Sequence, residues 1–299
     1  VGKTNLENCM ILIAGGDARE ITLADELAAA GADVRLLGFD KPAYVSKSSY
    51  PAVMPVTADA IICPLPGIDT AGNIFAPFSE KKIGLVDLKS LFVPGLIFIC
   101  GKISEQQCET LRSMGVRVVV TAEMDELAIY NAVPTAEGAV ELAMRESVIT
   151  IHGSQAVVIG FGRCGLPLAR TLQGLGAEVT VVARRPEVLA QAHVLGFRTI
   201  PVELLDQAVP AADFIFNTVP APILGGNILV KARQDAVIVD IASAPGGTDF
   251  EAAKRLGLKS FLSPGLPGKV APVSAGKILA KVYLNILSLM GKGGKTVET

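Results

Sequence analysis

The sequence has little of what charge-driven or metal-driven functions require. Of its 299 residues, 27 are Lys or Arg and 29 are Asp or Glu, a formal net charge of −2. A chain so near neutrality carries no broad basic or acidic field, so its charge points to neither nucleic acid nor a membrane surface as partner. No stretch reaches the ~18 uninterrupted apolar residues of a membrane span. The most hydrophobic late run, Ile278 to Met290, carries Lys281 and Asn285 and reads as an amphipathic helix. Residues 1–7 show no secretory leader. The five cysteines, Cys9, Cys63, Cys100, Cys108 and Cys164, form no C-x-x-C or metal-ligand spacing, so no metal site is expected. Scattered thiols in apolar strands read as packing groups in a reducing compartment, and the expected location is the cytoplasm. Histidine occurs only at 152 and 193.

What the chain does have is apolar residues and glycine. Half of it is hydrophobic and 30 residues are Gly, enough for about two domains with cores of their own. The most informative stretch runs from Gln155 to Arg185. A strand, Ala156–Ile159, leads into Gly160-Phe161-Gly162-Arg163-Cys164-Gly165, then a helix from Leu166 to Leu175 and a second strand, Val179–Val182. A G-x-G-x-x-G framed in this way is a dinucleotide fingerprint: Gly160 permits the tight turn, Gly162 the approach of a pyrophosphate, and Gly165 close helix–strand packing. The phosphates are then expected at the helix N-terminus, with Arg163 contacting one of them.

The end of the second strand selects the cofactor. An NAD site usually places Asp or Glu there for the ribose 2′-hydroxyl; this chain has Ala183, followed by Arg184 and Arg185. A guanidinium binds a 2′-phosphate through charge-assisted bonds, so NADP is expected, unless the two arginines are merely solvated charges. Asn217, Thr218, Val219 and Pro220, with Ala242 and Ser243, complete the expected cofactor loops.

The remaining periodicity gives a doubly wound pattern. Met10–Ala14, Val34–Leu37, Ala60–Cys63, Leu96–Cys100 and Val116–Val120 read as strands, with helices at Ile21–Ala30 and Glu105–Met114. Pro42–Pro55 and Pro64–Pro77 read as loops. A helix from Thr135 joins the halves, and Phe214–Asn217, Val237–Asp240 and Lys259–Leu262 supply further strands. The expected fold is α/β: two Rossmann-like domains with mostly parallel sheets around a central cleft, linked by a helix and by a C-terminal crossing helix. The expected divisions are 1–130, a linking helix at 131–150, a cofactor domain at 151–274 and the returning helix at 275–299.

Five segments carry a more specific likeness: residues 13–19 (IAGGDAR), 129–138 (IYNAVPTAEG), 151–155 (IHGSQ), 244–250 (APGGTDF) and 264–272 (PGLPGKVAP). Together they resemble the A-subunit family of dipicolinate synthases over nearly the whole chain. More loosely, the second half is similar to the cofactor domains of D-2-hydroxyacid dehydrogenases and alanine dehydrogenase. The resemblance implies an NADP-dependent enzyme of endospore-forming bacteria. It would act in the mother cell, converting a dihydrodipicolinate-level intermediate to dipicolinate. It also implies a second subunit of flavoprotein-like fold, and a homo-oligomer is expected. The other readings are a non-catalytic NADP-binding regulatory subunit and, on the same two-domain plan, an amino-acid or imine dehydrogenase. No histidine falls between 194 and 299, where 2-hydroxyacid dehydrogenases place their catalytic one, so reduction of a 2-keto acid by their mechanism is disfavoured.

A dicarboxylate substrate needs cations or a helix N-terminus. Arg19, just after the first strand, either binds a carboxylate or covers the first helix. Lys102 either binds the other carboxylate or is a surface lysine, and Lys269 is a weaker third choice. Asp17 either accepts a proton or caps the helix. His152 is either a catalytic base or a hydrogen-bonded structural residue.

Overall fold

In a computed structural model, residues 6–41, 50, 51 and 53–291 are described. The expected loop Pro42–Pro55 therefore lies largely outside the described residues. The chain divides into two compact units, one formed by Val1–Ala128 with Pro272–Thr299, the other by Ile129–Ala271. Among the described residues no helix is long and apolar enough to cross a membrane.

The first unit is built on a five-stranded parallel sheet. β1 (Met10–Ala14), β2 (Asp33–Leu37), β3 (Ala60–Ile62), β4 (Ile97–Cys100) and β5 (Arg117–Val120) lie in the order β2-β1-β3-β4-β5. The three central strands are apolar throughout because helices cover both faces of such a sheet, which is why they read as unbroken runs. α1 (Ala18–Ala29) follows β1, and α2 (Glu105–Ser113) lies between β4 and β5. The late helix α10 (Pro272–Gly291) packs on α1. Gly276 permits the approach, since a Cβ there would lie 2.5 Å from the Arg19 carbonyl oxygen and 2.6 Å from Thr22 Cβ.

α3 (Asp125–Glu146) enters the second unit and begins well before the expected Thr135. Pro134, which removes a backbone donor, masks its continuity in the sequence. The buried faces of Leu127, Ala132, Ala136, Ala139, Val140 and Ala143 carry the helix through it.

The second unit holds six parallel strands: β6 (Gln155–Ile159), β7 (Glu178–Ala183), β8 (Arg198–Pro201), β9 (Phe214–Asn217), β10 (Val237–Asp240) and β11 (Lys259–Leu262). Their spatial order, β11-β10-β9-β6-β7-β8, is the 3-2-1-4-5-6 arrangement read from its far edge. Along β6 the side chains alternate between two cores: Ala156 and Val158 join Phe214 and Phe216 on one face, Val157 and Ile159 join Ile215 and Ile238 on the other. The order reverses between β6 and β9, and ligands of such sheets bind outside the strand ends at that reversal. α4 (Gly165–Gly174) leaves β6 there, and α5 (Pro186–Val194) follows β7.

Candidate functional site

The fingerprint loop has the shape its glycines require. Gly160 has φ +89°, and a Cβ there would lie 2.3 Å from Thr218 Oγ1; a Cβ on Gly165 would lie 2.1 Å from the Gly160 carbonyl oxygen. Both positions are closed to any side chain. Gly162 is the opposite case: exposed, with nothing within 4 Å of an added Cβ. Turn and helix packing thus leave open space at the one glycine where a phosphate would pass. The N-cap of α4, Cys164, makes no side-chain capping bond, and the first turn contains no acid. Its backbone N–H groups and dipole therefore face the loop without a built-in anion. These residues fit a dinucleotide pyrophosphate.

Around the loop the expected cofactor residues divide. Phe161 is a core residue, its ring edge-on to Phe197 at 5.5 Å, so only its backbone belongs to the loop. Arg163 is exposed, and Cys164 is half-buried with its thiol pushed up by burial and eased back by Arg163. Ala183 is buried at the end of β7; Arg184 and Arg185 stand exposed after it, Arg185 3.4 Å from Glu187. Thr218 donates through Oγ1 to the Ile159 carbonyl at 2.9 Å, tying β9 to β6. Val219 is half-buried and Pro220 exposed. Ala242 is buried with its N–H already given to Asp240, so of the 242–243 pair only Ser243 is open to a ligand.

Asp240, absent from the expected set, organises this edge. It is fully buried. Its Oδ2 accepts from Gly247 N–H at 2.8 Å, Thr248 Oγ1 at 2.7 Å and Asn217 Nδ2 at 3.0 Å, while Oδ1 accepts from Ala242 N–H at 3.1 Å. Asn217 closes the network, giving Nδ2 to the Val219 carbonyl at 3.0 Å and accepting the Val219 N–H at 3.1 Å. Four donors meet the cost of burying this carboxyl without a cation. The signal was an acid ending an apolar strand, Val237-Ile238-Val239-Asp240, before a Gly-rich loop.

His152 does not join this site. It precedes β6, whereas the fingerprint loop follows it, so the five-residue strand separates the two by roughly 16 Å. The imidazole lies exposed over Gly176, where a Cβ would come within 2.6 Å of its ring. His193 and Lys269 are also exposed, on α5 and on the short helix α9 (Leu266–Val270).

In the first unit the corresponding strand–loop–helix has the opposite electrostatic character. Asp17 caps α1, and Glu20 Oε2 accepts the Asp17 N–H at 2.7 Å, completing a capping box. The two acids thus take the backbone N–H groups of Asp17 and Arg19 that a phosphate would otherwise use. Arg19 is only 4% exposed and is held by Asp17, Nε to Oδ1 at 2.8 Å and Nη2 to Oδ2 at 2.9 Å. Burial opposes its charge, and the Asp17 bonds and the Glu20 and Asp17 charges together keep it protonated. Asp17 is therefore a cap and an ion-pair partner.

Glu20 is fully buried, its carboxyl pushed up to about 7 by burial, with Arg19 pulling the other way and Asp17 adding to the rise. Its Oε1 is buried with no hydrogen-bond partner. Nearby, Thr121 Oγ1 and the Tyr283 hydroxyl, both buried, lie 3.2 Å apart. Lys102 has a fixed backbone, its carbonyl accepting from Ile68 N–H at 2.8 Å and Cys100 Sγ at 3.1 Å, and an exposed side chain. The structure thus brings Asp17, Arg19 and Glu20 together and adds Thr121 and Tyr283. The spacing Asp17-x-x-Glu20 was the sequence signal for Glu20; no local pattern links Tyr283 to the start of the chain.

Comparison with known proteins also divides the chain in two, with the second match running on through α10. Residues 10–122 match the model for the N-terminal domain of the dipicolinate synthase A-subunit, and residues 135–297 that for the alanine dehydrogenase/PNT C-terminal domain. The chain is 36% identical over 288 residues to the dipicolinate synthase A-subunit of Bacillus subtilis, covering 95% of this chain and 97% of that protein. The crystal structure of the dipicolinate synthase A-subunit from Bacillus halodurans superposes with a TM-score of 0.85 at 34% identity, covering 95% of this chain and 99% of that one. A transhydrogenase from Sinorhizobium meliloti, at 18% identity and TM-score 0.67 over 94% of each chain, shares the fold.

Proposed function

The chain belongs to the A-subunit family of dipicolinate synthases, and on that premise we propose that it is an NADP-dependent dehydrogenase forming dipicolinate from a dihydrodipicolinate-level substrate. The second unit is a dehydrogenase-type NAD(P)-binding domain. The reaction removes a hydride and a proton from a cyclic imine dicarboxylate and leaves a pyridine ring. NADP, when bound, supplies the hydride acceptor, and the gain of aromaticity supplies much of the driving force. The protein's own work is placement of charge and orientation.

One observation carries the cofactor assignment. Open space at Gly162 above the uncapped N-terminus of α4 coexists with two exposed arginines where an NAD site has an acid. In this reading Gly160, Gly162 and Gly165 shape the pyrophosphate loop, and Arg184 with Arg185 binds the 2′-phosphate. The backbone of 218–220 and Ser243 flank the nicotinamide side, on a loop that Asp240 and Asn217 hold rigid.

The first unit takes the dicarboxylate. Asp17 engages two of the five guanidinium donors of Arg19, and the remaining donors are assigned to one substrate carboxylate, with exposed Lys102 assigned to the other. The family name implies a partner subunit; its flavoprotein-like fold, assembly of the chain with itself and a cytoplasmic setting in the mother cell belong to the same proposal. Fluorescence titration of NADP against NAD tests the cofactor half. Tighter NADP binding supports it, and equal or tighter NAD binding removes it.

A further inference from the structure

We infer that Glu20 is a positioning residue that takes up a proton when the dicarboxylate binds at Arg19, so that substrate affinity falls as pH rises. This rests on the assignment of the dicarboxylate to the first unit. The geometry that carries it is the division of labour among three neighbouring charges. Arg19 is committed to Asp17 through two bonds, and among the described residues no ion pair is made to Glu20, which Arg19 influences only through its charge. Of the Glu20 oxygens, Oε2 accepts the Asp17 N–H, and Oε1 is buried with no partner. The proton therefore belongs on Oε1.

With Glu20 ionised, Asp17, Arg19 and Glu20 sum to −1 before any ligand arrives; with Glu20 neutral they sum to zero. A dianion approaching Arg19 is repelled by the first state, in surroundings that screen charge poorly. The carboxyl occupies the space that Gly16 leaves open, since a Cβ there would lie 2.5 Å from Glu20 Cγ, Cδ and Oε2.

The other groups facing Glu20 do not substitute for it. Cys63, following β3, is buried and held well above the usual thiol range, first by burial and then by its bond with Cys100. Tyr283 on α10 is pushed up by burial and further by Glu20 itself, against a lowering bond from Thr121. Cys100, at the end of β4, gives its thiol to the Lys102 carbonyl. Burial raises the Glu20 carboxyl to about 7, which places the uptake within the working pH range. Both histidines lie in the second unit.

Calorimetric binding of dipicolinate to the full chain, in buffers of differing ionisation enthalpy at pH 6, 7 and 8, tests this. The wild type should take up a fraction of a proton that grows toward one at pH 8, with Kd rising toward roughly tenfold per pH unit above 7. Glu20→Gln, which keeps the acceptor for the Asp17 N–H, should bind with no uptake and a flat pH profile. Uptake unchanged in Glu20→Gln, or no uptake by the wild type, overturns the coupling; the wild-type count needs no variant to fold. Arg19→Ala separates this from the underlying assignment. If it binds dipicolinate at pH 6 as well as wild type does, the placement of the dicarboxylate falls and the coupling with it. If it loses binding while Glu20→Gln keeps the wild-type pH slope, only the coupling falls.

Discussion

Arg19 and Asp17 form a part-buried bidentate ion pair, 2.8 and 2.9 Å across its two bonds, where the sequence leaves Arg19 either a ligand for a carboxylate or a cover for the first helix. Arg19→Ala therefore has two consequences. It leaves Asp17 beside Glu20 without compensation, and it removes the proposed carboxylate contact. Loss of one charge-assisted bond to substrate should cost about 1.5–3 kcal/mol in kcat/KM, with NADP affinity unchanged because the proposed cofactor residues lie in the other unit. Steady-state kinetics with the partner subunit present, run beside an NADP titration, measure both. Wild-type kcat/KM in the variant would assign Arg19 to the fold alone.

Glu20→Gln should change how stability depends on pH. In the wild type the folded-state carboxyl sits at about 7, against an ordinary value of 4.5 in the unfolded chain. The unfolded state therefore releases its proton first as pH rises. The stability Glu20 contributes is fully present below about 4.5, declines from there to 7 and is gone above it, a loss of about 3 kcal/mol. Glutamine carries no such dependence, so the variant should gain on wild type between pH 5 and pH 8 in urea denaturation. Parallel curves for the two proteins would mean that Glu20 is not proton-bearing when folded.

Gly162→Val and Gly165→Ala should fail differently. Nothing lies within 4 Å of a Cβ at Gly162, so valine there should fold but fill the proposed phosphate path, weakening NADP roughly a hundredfold or more, about 3 kcal/mol. A Cβ at Gly165 meets the Gly160 carbonyl oxygen at 2.1 Å, a backbone atom that cannot move aside alone, so this variant should lose stability as well. Circular dichroism melts with NADPH fluorescence titration separate the two. Full NADPH affinity in Gly162→Val would remove the loop from the cofactor site.

Asp240→Ala should destabilise the second unit by about 3 kcal/mol or more, because Asn217 Nδ2, Thr248 Oγ1 and two backbone N–H groups lose their shared acceptor inside the protein. Urea denaturation gives the magnitude, and hydrogen exchange at Ala242 and Gly247 shows whether the loop opens. Unaltered exchange at both would show that the loop is held by something else.

The parallel strands were legible because a strand covered on both faces is an unbroken apolar run: Met10–Ala14, Phe214–Asn217 and Val237–Asp240 show themselves without any partner. β8 was not, since Arg198–Pro201 is a short edge strand, partly exposed and ending in proline. The fingerprint was legible because its glycines are dictated by local geometry, the turn at Gly160 and the packing at Gly165. The first-unit cluster was only half legible. Asp17, Arg19 and Glu20 are consecutive enough to show a capping box, but burial decides that Arg19 is paired and Glu20 orphaned, and burial depends on α10 arriving from the other end of the chain. Of the two readings of His152, the structure favours the structural one, because β6 carries the chain from His152 at one end of the sheet to the fingerprint loop at the other.

Arg184→Ala and Arg185→Ala should weaken NADP roughly tenfold or more, about 1.5–3 kcal/mol, in at least one of the two variants, while leaving NAD affinity nearly unchanged. Arg184 is the stronger candidate, because Arg185 already lies 3.4 Å from Glu187. Unchanged NADP affinity in both would leave the choice of cofactor without a structural basis.

Turnover decides between a dehydrogenase and a silent nucleotide-binding protein. The chain, with its partner subunit, is mixed anaerobically with freshly generated dihydrodipicolinate and NADP, and NADPH and dipicolinate are measured together over time. The two products should appear one for one, faster than with NAD, and Gly162→Val should slow both together at the same NADP concentration. Dipicolinate formed at the same rate without any nicotinamide cofactor, or NADP bound but never reduced, would be incompatible with the proposed reaction.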